Sequence, residues 1–301
     1  MAYELLLAKK QAVAHLAPAF SAADSVWAEN VQFKEMGTKV ELQPAQPGYG
    51  VPAGVITAEH TELTFTTLLV GSGTAGTAPS WGFLAKAAGW AEEVDAGSVT
   101  YTRAPPSDAA DTMAFDWSDM TRHHKALDGR GKTDIKLAAN QPPRLDWLFR
   151  ALLVPLVART PVVDDDADFS DWPTTRPISF DLTTFTLGGV PMVLRDLTMT
   201  GADNVKFVDL PNQKGVFHRG SPAYTGSLKC STPTLATFNP QTKWINGNLL
   251  PFTFTHGKTA GSIVTVNGVV QLNDVAWSRE DEDDVFTANI SLTTAPSLVL
   301  T

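Results

Sequence analysis

The stretch from residue 61 to residue 102 constrains the fold more than any other part of the chain. Apolar and polar residues alternate over residues 63–69, with the period of two that is typical of a strand with one face on a core. A Gly-rich loop follows. Pro79 and Gly89 then enclose a short segment that we expect to be helical, because proline favours the first turn of a helix and glycine its end. Alternation resumes at residues 98–102, so this stretch predicts a strand, a loop, a short helix and another strand.

Three glycines of this loop, Gly71, Gly73 and Gly76, form the pattern G-x-G-x-x-G. After a strand and before a helix this pattern binds dinucleotides in Rossmann folds, so a nucleotide-dependent enzyme is one hypothesis. A Rossmann turn also needs a fully buried parallel strand, a tight entry into the helix and repeated strand–helix units. Here the strand alternates, Pro79 delays the helix, and mostly strands follow. The pattern therefore favours an irregular loop.

Composition and charge indicate a folded chain that does not grip nucleic acid. The 301 residues suffice for two domains, and 43% hydrophobic with 18% charged residues is typical of a folded protein. A formal net charge of −9 argues against tight phosphate binding, which needs clustered Lys and Arg. The single cysteine, Cys230, excludes an intrachain disulfide and is expected to be a buried apolar residue in a strand. The first ten residues do not resemble a signal peptide, and the longest apolar run, residues 151–158, is too short to span a bilayer, so we expect a soluble protein made in a cytoplasm.

Short strands dominate the remainder of the first half. We expect them at residues 31–42, 111–117, 124–127 and 132–138. Gly129 and Gly131 are expected to form the turn between the last two. Residues 145–157 have the length of a helix, but neighbouring prolines favour an extended segment. Residues 1–60 are loosely patterned and suggest an arm that is disordered or packs on a neighbour.

The second half repeats this plan. We expect strands at residues 178–187, 192–200, 204–208, 226–231, 251–255, 262–267, 269–277 and 285–292. A long polar excursion, residues 209–224, interrupts them. A second short helix is expected, with Asn239 as its N-cap, Pro240 as its first residue and Gly247 just after its end. Both halves therefore contain strands, a proline-started helix and further strands, which predicts a structural duplication.

These patterns predict a mainly β chain with two tandem β-sandwich or barrel domains, each with one short flanking α-helix. We place the first domain, including the N-terminal arm, at residues 1–160 and the second at residues 174–301. Residues 161–173 between them contain the acidic run DDDADFSDW. We interpret this run as a linker, because it lacks the glycine and the terminal glutamate of an EF-hand calcium loop.

No arrangement of reactive side chains indicates an enzyme, so we expect a protein without catalysis, cofactor or metal. Residues 131–133 and 257–259 both read Gly-Lys-Thr, like the end of a phosphate-binding loop, but the upstream glycine of such a loop is missing in both. His123 and His124 are adjacent, so in a strand they point to opposite faces and do not readily share an ion.

Several segments together resemble the major tail tube proteins of long, non-contractile-tailed bacteriophages. They are the opening ELLLAK (residues 4–9), the central GSGTAGTAP and LAKAAGW within residues 71–90, SVTYTRAP (residues 98–105), and the turn formed by Gly129 and Gly131. The resemblance covers most of the chain in order and spacing. It implies tail-tube-type β-sandwich or barrel domains whose sheets join those of neighbouring subunits to close a tube around a DNA channel.

The resemblance also implies the partners and the location of the protein. Most tube proteins form hexameric rings from single-domain chains, so two domains favour a homotrimeric ring with pseudo-sixfold symmetry, with a homohexamer as second choice. The rings would stack into the phage tail tube of a virion, be assembled in the bacterial cytoplasm, and contact the tape measure protein and other tail proteins. Genomic DNA would pass through the tube without specific binding, and no membrane would be involved.

Two segments are candidates for these roles. Acidic residues that could line the channel and repel DNA lie between two predicted strands: Glu280, Asp281, Glu282, Asp283 and Asp284. The polar excursion supplies candidates for a loop that reaches the next ring: Asp209, Pro211, Asn212, Gln213, Lys214 and Gly215.

The competing hypothesis is a monomeric β-sandwich that binds carbohydrate or a receptor on a virion. Eight tryptophans are more than a small core needs. Exposed tryptophans would suit sugar stacking as well as subunit contacts.

Overall fold

Alternating residues form short strands along the whole chain. The computed structural model describes residues 4–41, 54–105, 111–119, 122–158, 167–220 and 223–301. In the first half the strands are β1 (Leu5–Lys10), β2 (Glu29–Glu41), β3 (Gly54–Leu68), β4 (Trp90–Val94), β5 (Val99–Arg103), β6 (Met113–Asp119), β7 (Arg122–Ala138), β8 (Arg144–Leu153) and β9 (Val157–Ala158). In the second half they are β10 (Thr183–Leu187), β11 (Val190–Pro191), β12 (Val193–Gly201), β13 (Val205–Leu210), β14 (Gln213–His218), β15 (Tyr224–Ser231), β16 (Leu250–His256), β17 (Val264–Leu272), β18 (Ala276–Glu280) and β19 (Asp283–Leu300). The prediction of a mainly β chain with two short helices is confirmed.

Helix α2 (Pro240–Ile245) follows its sequence signals closely. The Oδ1 atom of Asn239 accepts a hydrogen bond from the amide of Thr242 at 3.1 Å, as an N-cap does. Gly247, just after the helix, has a φ of +61°, a conformation that glycine adopts without strain.

Helix α1 (Gly82–Ala87) begins later than predicted. The carbonyl of Pro79 accepts a hydrogen bond from the amide of Gly82 at 2.8 Å, so the proline lies in a turn before the helix and not in its first position. Gly89 ends the helical segment with a φ of +81°, as expected.

Strand β7 is continuous through the two glycines that were expected to form a turn. That prediction is wrong, since Gly129 and Gly131 both lie inside β7. A Cβ on Gly131 would lie 2.7 Å from the ring of Phe149 in β8, so this glycine permits close packing of a neighbouring strand. The extended structure predicted for residues 145–157 is confirmed over β8.

Two segments are more regular than the sequence indicated. The polar excursion contains β14 and the end of β13, and these two strands form a hairpin that is a separate two-stranded sheet. Near the start of the chain, β1 pairs with β6 over its whole length and is mostly buried. The N-terminal region is therefore built into the fold of its own chain at residues 5–10.

The order of strands in the sheet repeats between the halves. The first half pairs in the order β2-β3-β8-β7-β6-β1, and the second in the order β12-β15-β19-β17-β16-β10, antiparallel throughout. Helix α1 follows β3 and α2 follows β15, so the chain order matches as well. Strand β18 continues β17 along β19 after an interruption at residues 273–275, and together they correspond to β7. The domain boundaries at residues 160 and 174 remain predictions.

Strands β7 and β12 join the two halves. Leu137 pairs with Leu197, and Ile135 pairs with Met199. The result is one continuous antiparallel sheet in the order β2-β3-β8-β7-β12-β15-β19-β18. A second link joins the end of β19 to β5.

A hydrophobic core extends across this junction. Phe65 and Phe149 from the first half and Phe254 and Phe286 from the second belong to one cluster of buried side chains, as do the junction leucines. In β3 and β8 of the long sheet, buried residues alternate with less buried ones, so Phe65 and Phe149 lie on the core face, and Phe254 reaches the same core from β16.

The described part of the predicted acidic linker packs on the first half. The side chain of Trp172 is buried, and its Nε1 donates a hydrogen bond to the carbonyl of Ser25 at 2.9 Å. The amide of Asp168 donates to the hydroxyl of the same serine at 3.2 Å. Residues 161–166 lie outside the described residues.

The glycines after β3 are required because their loop closely approaches two other backbone segments. The amide of Gly73 donates a hydrogen bond to the carbonyl of Gly261 at 2.9 Å. A Cβ on Gly71 would lie 2.1 Å from that carbonyl oxygen, and a Cβ on Gly76 would lie 2.7 Å from the carbonyl oxygen of Asp95. The G-x-G-x-x-G pattern therefore has a packing role, because Gly71 and Gly73 let this loop contact the loop before β17 and Gly76 lets it contact the turn between β4 and β5.

Replacing Gly261 with alanine should destabilise the protein much more than replacing Gly73. Both have left-handed φ values, +85° and +84°, so both replacements carry a backbone cost of about 1–2 kcal/mol. Only the Cβ on Gly261 would also meet backbone, at 2.3 Å from the carbonyl carbon of Gly73. We expect the free energy of unfolding, measured by chemical denaturation, to fall by about 1 kcal/mol for Gly73→Ala and by about 3 kcal/mol for Gly261→Ala. Equal losses would contradict the close approach.

Candidate functional site

The first candidate surface is the outer edge of β2. Within the described residues β2 pairs only with β3, so the backbone groups along its other edge have no partner strand. A bulge between Glu29 and Gln32 bends the start of the strand. Toward the far end of the β2–β3 hairpin, Val40, Val55 and Ile56 are about half exposed, at 45%, 51% and 53%. This hairpin therefore offers both an open edge and exposed apolar side chains.

An aromatic groove of about 360 Å³ lies beside this edge on the core side of the sheet. Its walls include Val26, Trp27, Val31, Trp117 and Phe169. Phe33 of β2 stacks on one of them, Trp117, with ring centroids 6.1 Å apart. The core is thus incompletely covered where the sheet ends at β2.

The second candidate surface is the outer edge of β18. This strand pairs only with β19 among the described residues, and four of its five residues are exposed. Trp277 is 48% exposed although it lies opposite the buried Phe286, with ring centroids 6.4 Å apart. A groove of about 780 Å³ runs beside Trp277 and is also lined by Pro233, Leu235 and Gln241. The opposite end of the long sheet therefore also leaves part of its core side open.

The acidic run forms the turn between β18 and β19. Asp281 and Glu282 occupy the turn itself, both with positive φ, while Glu280 ends β18 and Asp283 and Asp284 begin β19. Four of the five side chains are exposed, and that of Glu280 is partly buried. The structure thus brings the five predicted carboxylates together at one tip.

Two cations already neutralise part of this acidic tip. The guanidinium of Arg195, at the bulge of β12, lies 3.8 Å from Glu280, 3.3 Å from Asp281 and 3.1 Å from Asp283. The ammonium of Lys229 lies 2.6 Å from Glu280. The other two carboxylates, Glu282 and Asp284, form no ion pair with the described residues. The acidic tip is therefore tied to β12, the strand that joins the halves.

The predicted inter-ring residues Asp209, Pro211, Asn212, Gln213, Lys214 and Gly215 lie at the tip of the β13–β14 hairpin. Asn212 has a φ of +66° in the turn. Lys214 and Asp209 pair across the hairpin at 3.6 Å. These side chains are at least partly exposed, apart from the buried Gly215, so most of the tip is accessible.

The base of the β13–β14 hairpin is fixed on the first half. The guanidinium of Arg150 in β8 donates to both carboxylate oxygens of Asp203, at 2.7 and 3.1 Å, and also to the carbonyl of Val205. Phe207 stacks on the imidazole of His60 in β3, with ring centroids 4.6 Å apart. A hairpin inserted in the second half therefore covers part of the polar face of the first.

The ion pair with Arg150 sets the ionisation of Asp203. Partial burial alone would raise the pKa of this carboxyl, but the hydrogen bonds and charge of Arg150 outweigh burial and hold its pKa below the ordinary value. Because the pKa is lowered in the folded state, the pair stabilises the hairpin above the ordinary pKa of aspartate, and this contribution is lost as the pH falls through the folded-state value.

The other residues considered in the sequence are two adjacent histidines, the single cysteine and two Gly-Lys-Thr segments. His123 lies 2.6 Å from Asp116, but no group of three or more His, Cys, Asp or Glu side chains there could hold a metal ion. Cys230 is buried, as predicted, and burial raises the pKa of its thiol. The Gly-Lys-Thr at residues 131–133 lies within β7, and that at residues 257–259 lies in the loop before β17.

Sequence reasoning did not identify the two open edges. For β18, Trp277 was the one local signal of an exposed edge, because an aromatic residue next to an acidic turn is typical neither of a buried strand nor of a solvated loop. For β2 there was no such signal, because the exposed residues at the far end of its hairpin resemble those of any surface strand.

No helix within the described ranges is long and apolar enough to cross a bilayer. No protein-family model matches the sequence, and no curated protein matches it either. The assignment of function therefore depends on the sheet edges, the two hairpins and the sequence resemblance.

Removal of the Asp203 carboxylate should loosen the β13–β14 hairpin at neutral pH. In Asp203→Asn we expect amide protection in this hairpin, measured by hydrogen exchange, to fall about two- to fivefold, the effect of a partly exposed ion pair. The difference from the wild type should narrow as the pH falls below the ordinary aspartate value of about 3.9 and through the lower folded-state pKa, because the wild-type carboxyl then loses its charge. Asp209→Asn, in the same hairpin but away from Arg150, is the matched control and should change protection less.

Proposed function

We propose that this protein is a structural virion subunit that polymerises as stacked rings into a phage tail tube, the channel for genome passage into the host. The sequence resemblance to tail tube proteins suggests this role. The geometry of the sheet supports it, because a subunit of a ring needs two different open surfaces that bind each other.

One observation carries the proposal: the two halves join by strand pairing, and the corresponding strands at the two ends of the sheet are open. β7 pairs with β12 inside the chain. β18, which corresponds to the end of β7, and β2, which corresponds to β12, have no partner along their outer edges in the described residues. The strand pairing that joins the two halves inside the chain can therefore recur between copies, with β18 of one chain pairing with β2 of the next.

Open strand edges with exposed apolar side chains favour aggregation unless they are covered. Closure of the sheet through a ring of copies removes these edges altogether. Because each chain supplies two repeats of the same strand order, a homotrimer reaches pseudo-sixfold symmetry, and this is the assembly we favour; a homohexamer is the second choice.

The charge of the chain suits a conduit for DNA. With a formal net charge of −9, the surface repels a polyanion and does not retain it. The exposed and unneutralised carboxylates of Glu282 and Asp284 are the best candidates within the acidic run for lining the channel. Genomic DNA would then pass without specific binding.

The β13–β14 hairpin is the candidate contact to the next ring. Its base is held by Arg150, while its tip at Pro211 and Asn212 is exposed. Tape measure protein and other tail proteins are the remaining proposed partners. The proposed location is the tail of a virion assembled in the bacterial cytoplasm.

The groove beside Trp277 supports a second candidate function, a monomeric module that binds carbohydrate or a receptor on a virion. A half-exposed tryptophan next to Gln241 and Arg279 offers a stacking surface with polar groups around it. This function needs no contact between copies, so the assembly state separates the two proposals.

The assembly state tests the proposed function directly. We expect the purified chain to form rings or stacked tubes in electron micrographs, and light scattering after gel filtration to give a mass that is three times that of the chain, or a higher multiple of it. A monomer at all concentrations up to about 1 mM, without particles in micrographs, would contradict the tube subunit. In that case saturable binding of oligosaccharides, detected by quenching of tryptophan fluorescence, would support the binding module.

A further inference from the structure

We infer that the outer edge of β18 pairs with the outer edge of β2 in a second copy of this chain, and that the β7–β12 junction is the template for this contact. The inference rests on the proposed function and deepens it by naming the two edges. It follows from the repeated strand order. β18 corresponds to the end of β7 and β2 corresponds to β12, so the two edges are equivalent to the two strands that pair inside the chain.

The register of the contact follows from the template. In the junction, Leu137 is the last core-facing apolar residue before the β7–β8 turn, and it pairs with Leu197, two residues after the bulge at Arg195. In β18 the apolar residue on the core side is Trp277, and in β2 the core-facing residue that follows the bulge is Phe33. Antiparallel pairing therefore sets Trp277 opposite Phe33.

The exposure of Trp277 and the aromatic groove beside β2 support this register. At the junction inside the chain, the side chains of Leu137 and Leu197 are 0% and 1% exposed, whereas Trp277 is 48% exposed. Pairing with β2 would move this indole beside Phe33 and toward the aromatic groove of about 360 Å³ lined by Trp27 and Trp117. An exposed aromatic side chain and an aromatic groove at opposite ends of one sheet are complementary surfaces.

The β2–β3 hairpin extends the contact. It occupies the position in the first half that β12, the β13–β14 hairpin and β15 occupy in the second. Within the chain, β13 and β14 lie on the polar face formed by β3, β7 and β8. By the same arrangement the far end of the β2–β3 hairpin would lie on β15, β17 and β19 of the neighbour, where the exposed Val40, Val55 and Ile56 would be covered.

A cysteine pair tests the register. Ser278 and Gln32 are both exposed and would lie opposite each other, one position from the Trp277–Phe33 pair. Opposed residues in antiparallel strands are about 4.5–5.5 Å apart at Cα, which suits a disulfide. The double variant Ser278→Cys, Gln32→Cys should give a ladder of covalent multimers on a non-reducing gel after mild oxidation, and the ladder should collapse with reductant. The buried Cys230 should not react.

Mixing the two single-cysteine variants distinguishes a head-to-tail contact, in which β18 pairs with β2, from a two-fold contact, in which an edge pairs with the same edge of another copy. Ser278→Cys and Gln32→Cys should each remain monomeric on the gel when oxidised alone, and together they should give only the mixed dimer. Thr253→Cys, an exposed position on β16, replaces Gln32→Cys in the control and should give no dimer. Rapid dimer formation by Ser278→Cys alone would overturn the inference.

Trp277→Ala tests the side-chain contact. Loss of a central aromatic residue should weaken association on the order of 30-fold, measured by sedimentation velocity over a concentration series. Phe180→Ala removes a 99% exposed aromatic side chain outside both edges and should leave association unchanged. Circular dichroism confirms that each variant is folded. An unchanged association constant for Trp277→Ala would overturn the assigned contact.

The outcomes distinguish this inference from the proposed function. If rings form but the cysteine pair gives no ladder, the β18–β2 contact is wrong while the tube subunit stands. If the wild type forms no rings and the pair gives no ladder, both fail. A ladder from the cysteine pair supports the contact in either case.

Discussion

The pairing of β7 with β12 is the contact on which the rest of the structure depends. It merges two six-stranded sheets into one surface and lets a single core pass from Phe149 to Phe254. Four pairs of residues make this backbone contact, and the side chains of the two core-facing pairs, Leu137–Leu197 and Ile135–Met199, are almost completely inaccessible to solvent. Because unpaired backbone groups beside the core would be costly, this pairing stabilises both halves.

The insertions in each half strengthen the same junction. The β13–β14 hairpin extends from the second half onto the first, where Arg150 holds Asp203, and the end of β19 pairs with β5. The acidic turn is also connected to it, since Arg195 at the start of the paired part of β12 neutralises several of its carboxylates. Ion pairs and backbone pairing therefore meet at β12, and a substitution of Arg195 would affect both the acidic tip and the junction.

Local signals in the sequence predicted the positions of helices and strands well, but they predicted poorly which elements contact each other. Asn239, Pro240 and Gly247 located α2 because caps depend on residues within one turn. Alternation located the second part of β3 for the same reason, and neighbouring prolines favoured the extended structure of β8. Gly131 was misread as a turn, since the ring that requires its missing side chain belongs to another strand. The open edges of β2 and β18 could not be predicted at all, because whether an edge is paired depends on strands far away in the chain. The repeated plan of the halves was predicted from the sequence, and it is the property from which we infer a partner for the edges.

The covalent connection between the halves affects how an assembly responds to dilution. Residues joined by a linker meet at an effective concentration on the order of millimolar, so β7 and β12 find each other however dilute the protein is. A contact between separate chains must instead offset the loss of translational and rotational freedom, about 4–15 kcal/mol for each association. In a ring of six repeats built from three chains, only three of the six contacts carry this entropic cost. Disassembly would therefore release whole chains with their internal contact intact, each ready to rejoin without refolding.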